Sequence, residues 1–201
     1  MPESNSETAI INAALHHLGQ PRILARTDNT ARARVMNDMF EFQRDTVLAE
    51  HPWNEATKRA ALASTGTAPV YGYTTAYQLP ADFLRLIEIN LPEESYRIEQ
   101  SEILTDLDSV NIRYVFRLTD VPVMSPGLKT TIAKKLAAEA CLTLTGSVSR
   151  SDRMWTIYQQ TIDNASFVDN NQAPVEQVGG STWINARFGT AQVFRPIQDP
   201  T

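Results

Sequence analysis

The 201-residue chain has one cysteine, Cys141, so no intrachain disulfide can form. Nothing in its cysteine usage points to an oxidising compartment. Its 8 glycines are scattered. None builds a phosphate-cradling loop, and no Gly-Lys-Ser/Thr follows a strand. Of the 3 histidines, His16 and His17 are neighbours and point in different directions, unlike the one-face pair that a metal needs. His51 is accompanied by no nucleophile or ligand set. No apolar run approaches the ~20 residues needed to span a bilayer. The stretch MPESNSETAIINAAL has no basic region of the signal-peptide kind. A net charge of −5 removes any global attraction to nucleic acid or anionic lipid. The expectation is a soluble intracellular chain with no cofactor, no metal and no catalysis. The carboxylates Glu93-Glu94, Asp106 and Asp108 fall in turn-rich stretches, where solvated charge is the default.

What is present is organised around residues 125–146, SPGLKTTIAKKLAAEACLTLTG. Ser125 can cap a helix, Pro126 suits its first position, and Gly146 can take the left-handed conformation that ends it. Leu128, Ile132, Leu136 and Ala140 fall four apart. Ala133, Ala137, Cys141 and Leu144 fill the adjoining stripe, while Lys129, Lys134, Lys135 and Glu139 are expected mostly away from it. Small alanines admit a neighbouring helix closely, which predicts a central position.

Before it come two more helical patterns. Ser4 and Glu7 have capping-box spacing, and Ile10, Ile11, Ala14, Leu15 and Leu18 form a stripe closed by Gly19. Asp28 or Asn29 is the expected cap of a helix over residues 30–50, with Ala33, Met36, Met39, Phe40, Gln43 and Val47 on one face. Its charged residues Arg32, Arg34, Asp38, Glu41 and Arg44 are expected on the other. Arg34 with Asp38, and Glu41 with Arg44, have the spacing of surface pairs. Of the 18 cationic residues 14 are Arg, the side chain suited to interfaces, so these five are candidates for a subunit interface. Pro52 ends the helix, and Trp53 is expected to plug the end of the helical assembly.

Residues 64–68 are turn-rich, and from Val70 to Leu118 the apolar period changes to two. Tyr71, Tyr73, Tyr77 and Leu79, then Ile87, Ile89 and Leu91, then Tyr96 and Ile98 read as strands. In the clearest one Ile112, Tyr114, Phe116 and Leu118 share a face opposite Arg113 and Arg117. An antiparallel sheet with one buried face follows. Ser151 is the expected cap of a last helix reaching Asn170, antiparallel to its predecessor because the link is short. The expected fold class is therefore α+β: an antiparallel helical bundle from both ends of the chain (residues 1–63 and 119–171), an inserted antiparallel β domain (64–118) and an extended C-terminal arm (172–201). The arm carries Trp183, Ile184, Phe188, Val193 and Phe194, which a solvated tail would normally lack. It suits docking, with Arg187 and Arg195 as polar clamps, either on a partner or back on its own domain.

Several stretches, in order, resemble the tail tubular protein A family, the head-to-tail adaptors of T7-like short-tailed bacteriophages. They are INAALHHLG (11–19), His51-Pro52-Trp53, AYQLPADFLRL (76–86), IRYVFRLTD (112–120), KKLAAEACLTLTG (134–146) and WINAR (183–187). Residues 189–201 lie outside the resemblance. It implies a structural virion protein, assembled in the host cytoplasm into a dodecameric ring below the portal. The nozzle protein would lie on the far side, with docking surfaces for tail fibres or spikes. Genomic DNA would pass through without specific binding, which the acidic balance suits. The arm residues Trp183, Ile184, Arg187, Phe188, Phe194 and Arg195 become candidates for portal binding. Two other readings remain open. One is a head-completion connector of a long-tailed phage, and the other is a cell-wall or polysaccharide hydrolase acting during entry.

Overall fold

The computed structural model describes residues 6–92 and 95–172. The six arm candidates from Trp183 to Arg195, and Glu93-Glu94, lie outside the described residues. The fold is α+β: helices α1 (Glu7–His17), α2 (Ala31–Glu50), α3 (Pro126–Thr145) and α4 (Val148–Asn170) accompany two three-stranded antiparallel sheets.

The helix ends follow local chemistry. The Ser125 hydroxyl accepts from Leu128 N–H, Pro126 opens α3, and Gly146 closes it at φ +65°. This backbone conformation favours glycine. Three expected caps move. Ser6, not Ser4, caps α1 by accepting from Ala9 N–H. Thr30, not Asp28 or Asn29, caps α2 by accepting from Ala33 N–H. Asp28 instead accepts from Leu24 N–H at 2.7 Å and shapes the connector. Ser147, not Ser151, caps α4. Each true cap sits immediately before a continuous helical run, so the helix takes the last hydroxyl available before it begins. Glu7 is also used differently: it pairs with Arg26, whose guanidinium lies 5.3 Å from the Phe40 ring centroid.

Helix α3 packs against α1, α2 and α4. Its Leu128, Ile132, Leu136, Ala137, Ala140 and Cys141 are all buried in one apolar core with Ile11, Leu15, Met36, Phe40 and Val47. None of these side chains is charged, so this core is built by apolar burial rather than by polar pairing.

The first sheet has order β1–β6–β3 (Thr57–Ala61, Asn111–Phe116, Phe83–Ile89). The second has order β2–β5–β4 (Thr75–Gln78, Glu102–Thr105, Tyr96–Glu99). Two expectations are corrected here. Strand β1 begins at Thr57, inside the stretch assigned to the helical domain, because its LysArgAlaAla composition hides a strand that is set by pairing with β6. Strand β6 is not buried on one face only. Val115 enters the helical core, while Ile112 and Tyr114 enter a second core with Tyr77, Leu79 and Ile103. The first sheet is thus a middle layer, with helices on one side and the second sheet on the other. Tyr71, expected in a strand, is 87% exposed in the loop before β2.

Candidate functional site

A buried polar cluster lies where α2 leaves the helical core. Pro52 ends α2 at His51, whose backbone is extended. Trp53 then turns inward, is 1% exposed, and donates Nε1–H to the Val47 carbonyl at 3.0 Å. The expectation that Trp53 plugs the core holds. His51 meets the Trp53 ring edge-on at 4.8 Å between centroids. Its Nε2 is 3.0 Å from Asp169 Oδ2, in the last turn of α4. Asp169 also accepts from the Asn54 N–H at 3.2 Å, and Asn54 Nδ2 donates to the Asp169 carbonyl at 2.8 Å. One buried carboxylate therefore ties the exit of α2, the approach to β1 and the end of α4.

One turn away is a second cluster. Lys135, expected outside the α3 core face, is buried; its Nζ is 3.3 Å from Glu50 Oε1. It also lies 4.7 Å from both the Trp155 and Tyr158 ring centroids. The Tyr158 hydroxyl donates to the other Glu50 oxygen. Burial first, then the adjacent Glu50 carboxylate, raises the Tyr158 pKa. The ammonium is held by one carboxylate and two ring faces.

The third joint is in the sheets. Asp82, in the Tyr-x-Leu-Pro-x-Asp turn, accepts from Lys58 Nζ at 2.8 Å and from the Tyr114 hydroxyl at 3.0 Å. Burial works to raise the Asp82 pKa, but those two donors and the Lys58 charge outweigh it and the net shift is downward. Burial, then Asp82 itself, pushes the Tyr114 hydroxyl up to about 12.

The interface candidates on α2 divide. Arg34, Asp38 and Glu41 are exposed and Arg32 is half-buried. Arg44 is 4% exposed, so the surface charge expected there is absent. Its partner is also different: Arg44 contacts Asp45 at 2.8 Å rather than Glu41. Glu41 instead lies 3.9 Å from Arg26, and neither expected surface pair forms among the described residues. The same surface exposes Phe42.

Cys141 is fully buried, with the Thr145 hydroxyl 3.6 Å from its sulfur. His17 Nδ1 lies 3.3 Å from Lys134 Nζ. Burial first, then the Lys134 and His16 charges, lowers the His17 pKa. Asp106 accepts from Thr74 N–H at 2.8 Å in a turn, and Asp108 is exposed. Among the described residues no group of three or more His, Cys, Asp or Glu side chains is placed to hold a metal ion. No helix there is long and apolar enough to cross a membrane.

Among the described residues, Lys135, Asp169 and Arg44 are the buried charged side chains that sequence reasoning missed. A signal existed: Lys135 is three after Ile132, Asp169 seven after Ile162, and Arg44 four after Phe40. All three spacings lie on the apolar face of their helices. Charge outweighs such periodicity where it is unpaired, but not where the fold provides a partner.

Compared with known proteins, the chain matches no protein-family model, and no curated protein matches it.

Proposed function

We propose that the chain is a non-catalytic head-to-tail adaptor of a short-tailed bacteriophage virion, a dodecameric ring that joins the portal to the tail nozzle and lines part of the DNA channel. The observation that supports this most is where the resembling motifs fall. His51-Pro52-Trp53 lies at the Asp169 joint, and the turn ending at Asp82 lies at the Lys58–Tyr114 joint. The first motif ties the exit of α2 to the end of α4, and the second ties the turn before β3 to β1 and β6, internal bracing of the kind a ring subunit requires. In this reading α3 and the three helices around it form the antiparallel bundle and the sheets form its inserted domain.

The exposed Arg34, Asp38 and Glu41, with the half-buried Arg32, supply one charged ring face. A closed ring needs two different complementary faces per subunit. The segment with Trp183, Ile184, Arg187, Phe188, Phe194 and Arg195 docks on the portal, the nozzle protein binds the opposite end, and tail fibres or spikes attach outside.

The test is assembly. Purified chain mixed with the portal and nozzle proteins of its phage gives a twelvefold ring between them by electron microscopy, and a variant lacking residues 175–201 loses portal binding. Failure to bind portal overturns the reading. Binding to tail-tube or stopper proteins instead of nozzle replaces it with the long-tailed connector, and clearing of a cell-wall zymogram replaces it with the hydrolase.

A further inference from the structure

An open apolar groove of about 580 Å³ runs between the first turn of α3 and the last turns of α4, lined by Trp53, Pro126, Thr130, Ala165, Val168 and Gln172. Its size falls within the range of about 300–1,000 Å³ typical of sites that hold organic ligands. Val168 is 58% exposed and its neighbour Phe167 68%. Solvent therefore covers an apolar surface directly beside the Asp169 joint.

We propose that this groove is the docking site for the same chain's residues 183–188, with Trp183 as the anchor. Three observations favour that occupant. Gln172, the last described residue, is itself part of the lining, so the continuing chain starts at the groove. Trp183 lies only 11 residues further on. That tether reaches at most about 40 Å and holds Trp183 near the groove at an effective concentration on the order of millimolar. The chain must double back to reach the groove, and Gly179-Gly180 stands between Gln172 and Trp183; paired glycines allow such a reversal at no steric cost. The chemistry also matches. A Trp side chain buries roughly 150–250 Å², and Ile184 and Phe188 add apolar surface to a lining that is itself mostly apolar.

The inference stands whether or not the chain is an adaptor. In an adaptor, the groove keeps the portal-binding residues out of water until the portal displaces them.

The experiment uses the full-length chain. Asn164→Cys in the groove is combined with Asn185→Cys, leaving the apolar residues intact; Cys141 is fully buried and does not compete. Mild oxidation of dilute monomer gives an intramolecular disulfide joining positions 164 and 185, read as a linked peptide pair by mass spectrometry. In parallel, 5-fluorotryptophan labelling with ¹⁹F NMR follows Trp183, assigned by the resonance lost in Trp183→Phe. Val168→Glu moves that resonance toward its position in urea-unfolded chain, and Thr130→Glu, at a second position in the lining, does the same. Disulfide-linked dimers alone would overturn the proposal in favour of a second copy in the groove. A Trp183 resonance insensitive to both groove variants would overturn it outright, as would the absence of any crosslink.

Discussion

His51 Nε2 and Asp169 Oδ2 lie 3.0 Å apart and 118 residues apart in sequence. Their contact closes the helical part at the point where the chain departs for the sheets. Asp169 satisfies the Asn54 N–H as well, so one side chain supports two donors from the departing segment. Polar groups buried this way are held chiefly because leaving them unmade is costly.

Asp169→Ala leaves the His51 nitrogen and the Asn54 N–H without an acceptor. At about 1–3 kcal/mol for the unsatisfied buried His51 nitrogen, and less for the exposed Asn54, the expected loss is about 2–4 kcal/mol, with Asp169→Asn losing less because it keeps one acceptor oxygen. Urea unfolding should show a lower midpoint with an unchanged slope. An unchanged midpoint in Asp169→Ala would mean that the joint carries no stability.

Lys135 and Glu50 are coupled, but not as a fully buried pair, since the Glu50 side chain is 34% exposed. Water screens that side, so a double-mutant cycle of Lys135→Met and Glu50→Gln should give a coupling of only about 0.5–1 kcal/mol. Lys135→Ala should cost more than Lys135→Met, because it also empties the space beside the Trp155 and Tyr158 rings. Equal losses in the two variants would show that the charge alone matters there.

The ends of α3 make separable contributions. Ser125→Ala removes the acceptor for Leu128 N–H and should cost about 1 kcal/mol. Gly146→Ala forces a Cβ into φ +65° at a similar cost, whereas Gly146→Asn should be milder. For a chain of this size each kcal/mol lowers Tm by about 2–4 °C. Calorimetry in which alanine and asparagine behave alike at position 146 would refute the conformational argument.

The Asp82–Tyr114 contact gives pH dependence at both ends of the scale. In the unfolded chain Tyr114 loses its proton near 10.0, while in the fold it keeps it to about 12. Between those values the folded state binds more protons, so stability falls as pH rises through the window. Asp82 is shifted the other way, below its ordinary value of 3.8. Its contribution is present above pH 3.8 and is lost as pH falls through the lower folded value. Tyr114→Phe should flatten the alkaline limb, and Asp82→Asn the acid limb, of unfolding midpoint against pH. Profiles parallel to the unmutated protein's would contradict the assignment.

Four helices, the boundaries of α3, the plug at Trp53 and the change to period two near the sheets were all legible in the residues themselves. These features depend on contacts within one or two turns: a hydroxyl accepting from the backbone three residues on, a proline that stops the preceding residue, a glycine at positive φ. Features that depend on distant partners were not legible. Thr57–Ala61 is a strand because β6 lies beside it, and β6 is buried on both faces because helices and a second sheet arrive from opposite sides. Arg44, Lys135 and Asp169 sit on apolar helix faces with their polar groups met by Asp45, by Glu50, and by His51 with Asn54. The periodicity of each helix already pointed these three residues inward. Only the fold supplies most of the partners that make a buried charge tolerable, since a charge is buried when it is paired and left in water when it is not.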